Sequence, residues 1–454
     1  MRRKLIPQLS VFHSFGRSDV AMELAAMSRG LDGTPEILEL AYKDLVGLKR
    51  EDTGRFGMTA EQVLRCAVLK QFRNLSYEEL AFHLEDSQAF RAFGRLRVNQ
   101  CPGASTLQEN ISALRASTWE AINAMITKRA ESEGLEKGRK VRLDSTAVES
   151  DIHHPTDSRL LGDGIWLITR LLIEGRSLRP VPEYRFSDHR RAAKKKVLAI
   201  LNARGEKVRR QHYQDLLGIA ARVVGYALEA IDILGCYGSQ EVEQLLHARV
   251  LGEKLERALG IFRRVIDQTQ RRVIRGQKVP ASEKVVSFFE CHTDIIEKGG
   301  RDTYYGHKVF LMGGASGLIV GCKVVRGNPS DSGIFMEMIR SHKTLYGRVP
   351  RQVAADGGFA SQDNLRNAKL EGVKDVMFSK RRGLSVLDMV KSNWVYKRLF
   401  NFRAGIEANI SRLKRAFGLS RCDWNGWEGF LQYVWSAVVS YNLSVLSRKR
   451  MAIA

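Results

Sequence analysis

Cysteine is scarce in this chain, acids are few for its bases, and long apolar runs are missing. The six cysteines (Cys66, Cys101, Cys236, Cys291, Cys322 and Cys422) are scattered and include no pair with two residues between them. That excludes a zinc-ribbon ligand set and a Cys-x-x-Cys redox motif, and the thiols read as reduced and structural. No apolar run approaches the ~20 residues needed to span a bilayer, so no membrane partner is expected. The start, MRRKLIPQLSVF, has the basic cluster of a secretion signal, but Pro7, Gln8 and Ser10 interrupt its apolar part and no small-residue cleavage site follows. A cytoplasmic protein is expected. Acids are outnumbered, with 50 Asp and Glu against 73 Lys and Arg, a formal charge of +23. A polyanion is therefore the expected partner, and with the membrane set aside it is nucleic acid.

What is present supports real cores. Hydrophobic residues make up 44% of 454, a length that suits about three domains of roughly 150 residues each. Residues 1–133 read as an N-terminal helical domain. Thr59-Ala-Glu-Gln62 and Ser76-Tyr-Glu-Glu79 each have capping-box spacing and each opens an apolar series at helical intervals. A third helix is expected after the Pro102-Gly103 turn, capped by Ser105 or Thr106, with Leu107, Ile111 and Leu114 as its stripe. Three short helices with Arg91, Arg95, Arg97 and Arg115 nearby suit a helix-turn-helix-like DNA reader, and equally a plain helical bundle.

Residues 158–284 lack the β-branched alternation of their flanks and read as a helical insertion. Their basic runs contain Arg190, Arg191, Lys194, Lys195, Lys196, Arg209 and Arg210, the candidate DNA contacts. A basic run on a helix is commonly a solvated face, but repeated runs suit tracking a phosphate backbone.

The flanking segments, 134–157 and 285–420, read as one α/β core in two parts, followed by a C-terminal helical segment, 421–454. In 140-KVRLDSTAVES-150 an alternating strand runs into Asp144. Segments 285–296, 305–313 and 317–327 read as a meander, 330–347 as a helix, and 350-PRQVAADGGF-359 as a buried strand ending at Asp356. A helix over 361–372 and a strand over 373–379 follow. In 399–418, Phe400, Arg403, Glu407 and Lys414 share one helix face at ~100° per residue. Each acid alone has a bland reading, a turn or cap for the aspartates and an exposed i, i+4 pair for Arg403 and Glu407.

Together the segments resemble the RNase H-like core of the DDE transposases encoded by bacterial insertion sequences. Asp-Ser-Thr at 144–146 is similar to the family's Asp-x-Thr. Ala-Asp-Gly-Gly-Phe at 355–359 is similar to its Asp-x-Gly-Tyr/Phe, and Phe400-x2-Arg403-x3-Glu407-x6-Lys414 to its Y-x2-R-x3-E-x6-K signature, with Phe in place of Tyr. The long insertion is similar to that of the loosely classified ISNCY-like members. The resemblance implies a mixed five-stranded sheet flanked by helices, its first and fourth strands adjacent, so that Asp144, Asp356 and Glu407 meet as catalytic metal ligands. It implies two Mg²⁺ ions, replaceable by Mn²⁺, with Arg403 and Lys414 on DNA phosphates. It further implies cleavage and transfer of double-stranded DNA at terminal inverted repeats, by a homodimer on DNA, at the nucleoid. Two alternatives stay open from the residues alone: a DNA-binding regulator derived from such an enzyme, and a metal-dependent nuclease without strand transfer. The apolar 427–446 reads as a core helix, with a dimer helix as the other reading.

Overall fold

The structure is a computed structural model that describes residues 2–5, 15–47, 57–298 and 302–453. Pro7, Gln8 and Ser10, on which the reading of the N-terminus rests, lie outside the described residues. The chain divides into two compact units, Met1–Asp151 with Ile296–Ala454, and Ile152–Ile295.

The first unit begins with seven helices among the described residues: α1 (Asp19–Asp32), α2 (Glu36–Val46), α3 (Ala60–Arg73), α4 (Tyr77–Asp86), α5 (Gln88–Gly94), α6 (Ala104–Ser112) and α7 (Ala116–Ser132). Both capping boxes form as expected: the side chains of Thr59 and Ser76 accept from the backbone of Gln62 and Glu79, which reach back to the cap N–H groups. The third expected helix is α6, but its N-cap is Gly103, with no side-chain cap, rather than Ser105 or Thr106. A short helix that the sequence reading passed over, α5, opens on the Ser87 hydroxyl. Among the described residues these helices share one hydrophobic cluster with the sheet.

The sheet is built from β1 (Lys140–Ser150), β2 (Asp294–Lys298), β3 (Asp302–Gly314), β4 (Ile319–Val325), β5 (Gln352–Ala355), β6 (Asp375–Phe378) and β7 (Arg421–Cys422). It is mixed, as expected, but among the described residues has seven strands rather than five. β1 is central. It runs antiparallel to β3 from Val141↔Gly314 to Glu149↔Gly306, and parallel to β5 from Lys140↔Gln352 to Leu143↔Ala355. β6 continues the parallel half, β4 pairs with β3, and β7 pairs with the far end of β1. Helices α12 (Asp331–Tyr346), α13 (Gln362–Leu370), α14 (Val386–Met389), α15 (Asn393–Ala416) and α16 (Gly426–Ile453) belong to the same unit.

Helix α16 is the expected core helix, and polar contacts tie it to the rest of the unit. The Asn442 amide is fully buried; it donates to Asn123 of α7 (2.7 Å) and to the Ile319 carbonyl (2.8 Å), and accepts from the Ile319 N–H (2.8 Å). Buried polar groups are tolerated only when paired in this way. Glu23 of α1 closes the other end, accepting from Arg448 (2.9 and 3.0 Å) and from Ser444.

The second unit is helical: α8 (Asp157–Gly175), α9 (Arg190–Asn202), α10 (Glu206–Gly235) and α11 (Val242–Thr269), with its own hydrophobic core. The strand expected over 285–296 forms only from Asp294 onward. Upstream, the Val285 N–H donates to the Gln268 amide oxygen (2.9 Å) and Gln268 donates to the Val285 carbonyl (3.2 Å). A side chain of α11 thus meets the backbone groups that a ladder would have used, while Phe288 packs on Phe262.

Candidate active site

The register of the central strands decides where the first two acids lie. β1 and β5 pair through Leu143↔Ala355, so the next residues are Asp144, still inside β1 rather than at its end, and Asp356, just past the end of β5, where the parallel pair separates. Strands stand about 4.8 Å apart, which places the two aspartates side by side. Helix α15 lies across them. Arg142, on β1, donates to the Phe402 carbonyl (3.2 Å) and the Asn409 amide oxygen (3.3 Å), and Asn409 donates to the Gly317 carbonyl (3.0 Å). A Cβ on Gly405 would collide with the Arg142 guanidinium, so glycine here lets the strand's arginine lie under the helix. These contacts fix the face that carries Glu407.

The three acids meet one guanidinium. Arg403 Nη2 donates to Glu407 Oε1 at 2.7 Å, and Nη1 lies 3.5 Å from Asp356 Oδ1 and 3.8 Å from Asp144 Oδ2. Asp144 is mostly buried, whereas Asp356 and Glu407 are substantially open to solvent. Asp144 Oδ1 also accepts the Ser145 N–H (2.7 Å), and Asp356 Oδ1 accepts the Ser379 hydroxyl (2.7 Å). Half-burial alone would raise the Asp356 pKa, but the Ser379 hydroxyl, the Gly357 and Gly358 N–H groups and Arg403 outweigh it and hold the carboxyl below the ordinary aspartate range.

Hard oxygen donors of this kind suit a divalent cation. Among the described residues no three acidic, histidine or cysteine side chains already share a single ion point, because the positive charge between the acids is that of Arg403. Arg403 Nε is buried there without a hydrogen-bond partner, so the guanidinium is not fully satisfied in its seat. The donor set therefore fits a divalent metal, with Arg403 as the counter-charge now in place.

The other candidate residues are dispersed. Lys414 lies about two turns beyond Glu407 on α15, half-buried, its carbonyl accepting from Ser420 (3.2 Å). In the insertion, Arg190 pairs with Asp188 (2.7 Å) and Lys196 with Asp215 (2.7 Å). Arg210 donates to the Ile274 carbonyl and Arg209 to that of Ala203 (3.4 Å). Arg191, Lys194 and Lys195 are exposed on α9. In the N-terminal helices, Arg95 is tied to Asp32 and Glu61, Arg91 to the Leu84, Arg97 and Val98 carbonyls, and Arg115 to Asp44.

Sequence reasoning missed the support beneath the aspartates. Asp331, the first residue of α12, accepts from the Ser145 hydroxyl (3.2 Å), pairs with Lys308 of β3 (2.7 Å) and packs directly on Gly358. It touches the chain just after both Asp144 and Asp356. The sequence marks it only as a helix-starting acid. Lys380, at the end of β6, covers Gly357, and with Arg381 and Arg382 forms a basic loop beside Asp356.

Two family models match the chain, a Transposase DDE domain over residues 273–443 and a Transposase domain (DUF772) over residues 23–113. No curated protein and no solved structure matches. The first match contains Asp356 and Glu407 but begins after Asp144, which reaches them through the pairing of β1 with β5. With a second transposase model on its N-terminal helices as well, the chain belongs to the DDE transposases.

Proposed function

We propose that this chain is the transposase of an insertion sequence, which binds the terminal inverted repeats of its element, cleaves DNA strands there and joins the freed 3′ ends to target DNA. The observation that carries this reading is the meeting of three carboxylates, from segments more than 200 and 50 residues apart in sequence, at one guanidinium where β1 and β5 separate. Asp144, Asp356 and Glu407 would hold divalent metal, Mg²⁺ or Mn²⁺, two ions per site. Such ions, when bound, supply Lewis-acid activation of the attacking oxygen and neutralise charge on the leaving one.

The chain's own residues position the substrate. The Ser379 hydroxyl and the Gly357 and Gly358 N–H groups favour the ionised form of Asp356. When the carboxylates are engaged as ligands, the Arg403 guanidinium becomes available to a DNA phosphate, and Lys414 meets the backbone further along α15. The basic loop at Lys380–Arg382 lines the Asp356 side of the same path. End recognition is assigned to the N-terminal helices, in a helix-turn-helix-like manner, and further backbone contact to Arg191, Lys194 and Lys195. Two ends must be processed together, so the working form is a homodimer on DNA.

The test is a strand-transfer assay with the element's own terminal repeats and a second duplex, in Mg²⁺ or Mn²⁺. Joined products with a 3′ end covalently linked to the second duplex are expected. Nicked ends that never join would leave a nuclease, and binding without cutting would leave a regulator.

A further inference from the structure

We infer that the insertion carries a nucleotide pocket, selective for guanine, in the cleft between α8 and α9. This goes beyond the proposed function and does not depend on strand transfer. The cleft has a volume of about 700 Å³, within the roughly 300–1,000 Å³ of small-ligand sites. Its lining includes Arg159, Gly162, Asp163 and Trp166 of α8, and Lys194 and Val197 of α9. On each helix these residues recur at intervals of three and four, so at ~100° per residue they lie within roughly 100° of arc and face the cleft together. The helices come closest at Gly162, where a Cβ would stand 3.2 Å from Val197 Cγ2.

Three kinds of group in this cleft are left over by the fold. Trp166 stands outside the core of its unit and is 40% exposed, although burying such a ring is worth more than burying almost any other side chain. Its ring is kept in order by Phe289, edge-on at 6.4 Å, and by the Arg170 guanidinium, 5.4 Å from the ring centre. Arg159, Lys194 and the neighbouring Arg191 are exposed, and among the described residues their side chains make no hydrogen bond or salt bridge, whereas Arg190 on the same rim is held by Asp188. Asp163 is half-buried, and among the described residues no donor reaches its carboxylate. Withdrawal from water pushes that carboxyl above the ordinary aspartate range, against the pull of His153 and Arg159, and donors arriving with a ligand would offset the cost.

A matching ligand brings a flat ring for Trp166, N–H donors for Asp163 and an anion for Arg159, Arg191 and Lys194. A nucleotide has all three, in its base face, base edge and phosphate. The carboxylate selects the base. It accepts two parallel N–H bonds, and guanine alone among the DNA bases offers two donors side by side, N1–H and N2–H. Adenine and cytosine set a ring-nitrogen acceptor beside their amino group, and thymine flanks its N3–H with two carbonyls, so each would turn a lone pair towards Asp163. In a duplex the guanine edge is already taken by cytosine. The ligand is therefore a free guanine nucleotide or an unpaired guanine of a bound strand, which present the same ring, edge and phosphate.

The experiment titrates the full-length protein with two pairs of probes: GMP against AMP, and a duplex with one unpaired guanine against the same duplex with one unpaired adenine. Guanine should be favoured by about ten-fold in at least one pair. A preference in the GMP pair alone identifies a free nucleotide as the ligand, and a preference in the duplex pair identifies a strand. Trp166→Ala should weaken the favoured probe by about ten-fold, while Trp166→Phe retains most of the affinity. Asp163→Asn should erase or reverse the preference for guanine, and Lys194→Glu should weaken both members of the pair alike. No guanine preference in either pair, or one that survives Asp163→Asn, overturns the pocket. Unchanged melting temperatures exclude misfolding as the cause; should Trp166→Ala melt early, the isosteric Asp163→Asn decides alone. Binding is read here without cutting, so a chain that failed to join DNA strands would give the same result.

Discussion

The catalytic unit and the insertion hold their charged residues in opposite ways. In the unit of Met1–Asp151 and Ile296–Ala454, the charges that matter are set by partners far away in sequence: Arg142 under α15, Asp331 against Ser145 and Lys308, and Arg403 among three acids. In Ile152–Ile295, several chosen cations are met by neighbours, Arg190 by Asp188 two residues back and Lys196 by Asp215 on the next helix. A spacing motif encodes a geometry that the fold must complete. A basic run encodes only composition, and its members divide among ion pairs, carbonyl contacts such as that of Arg210 with Ile274, and open surface.

The largest effect that would break this contrast lies at the acids. Asp144→Ala, Asp356→Ala and Glu407→Ala should each lower strand cleavage on the order of 10³-fold or more while end binding is largely kept, measured by nicking and by gel shift on one substrate. Near wild-type nicking by any one of them would remove that residue from the set.

Next comes the pair beneath the site. Lys308 and Asp331 are both mostly shielded from solvent, so Lys308→Met alone should destabilise the protein by about 3 kcal/mol, because it leaves Asp331 uncompensated. Lys308→Met with Asp331→Leu should regain most of that stability in denaturant melts. If the pair merely supports the fold, the double variant should also regain cleavage. If Asp331 positions Asp144 and Asp356, its half-saturating Mn²⁺ concentration should stay raised.

A smaller effect concerns pH. His342 of α12 is buried, which lowers its pKa to about 4 despite its contact with the Arg348 carbonyl and the charge of Glu136. The unfolded chain takes up this proton near pH 6.5, so the stabilising share of a neutral His342 is complete above that value. It is lost as pH falls from about 6.5 towards 4, by up to about 3 kcal/mol. His342→Leu should flatten the stability profile in that window relative to wild type. Parallel profiles would show that His342 does not titrate as its burial requires.

The smallest effects sharpen the insertion's side of the comparison. Arg191→Ala, Lys194→Ala and Lys195→Ala should each reduce the slope of log affinity against log salt by about 0.9, and weaken binding to all sequences alike. Arg190→Ala and Lys196→Ala, already paired in the protein, should change it less.

How much of this was legible follows from the range of each signal. The capping boxes at Thr59 and Ser76 are local hydrogen-bond patterns, complete within four residues, and both formed. The strand end at Asp356 and the helix face of Glu407 are legible because period and spacing determine them; Asp144, expected at a strand end, lies inside β1, which runs on to Ser150 because β3 continues to pair with it. What lay beyond local pattern was missed. Nothing near residue 285 reveals that Gln268 will take its backbone bonds, so the apolar run there reads as a strand. Nor does anything near Gly405 reveal an arginine of β1 passing beneath it, or near Asp331 that it will touch the chain just after both aspartates. Nor does the place of Arg403 in the signature announce that its guanidinium lies among the three acids.

That inward arginine marks the point on which the whole account turns, a single site shared by Asp144, Asp356 and Glu407. The most direct measurement is to load the full-length protein with Fe²⁺ in place of the divalent metal, add ascorbate and peroxide, and map where the radicals cut the polypeptide. Cuts should cluster at three places together, the end of the β1–β5 pairing near residue 144, the turn near 356 and the middle of α15 near 407, and Asp144→Ala should abolish all three. Cuts at only one of these places, or a set that survives Asp144→Ala, would contradict the account.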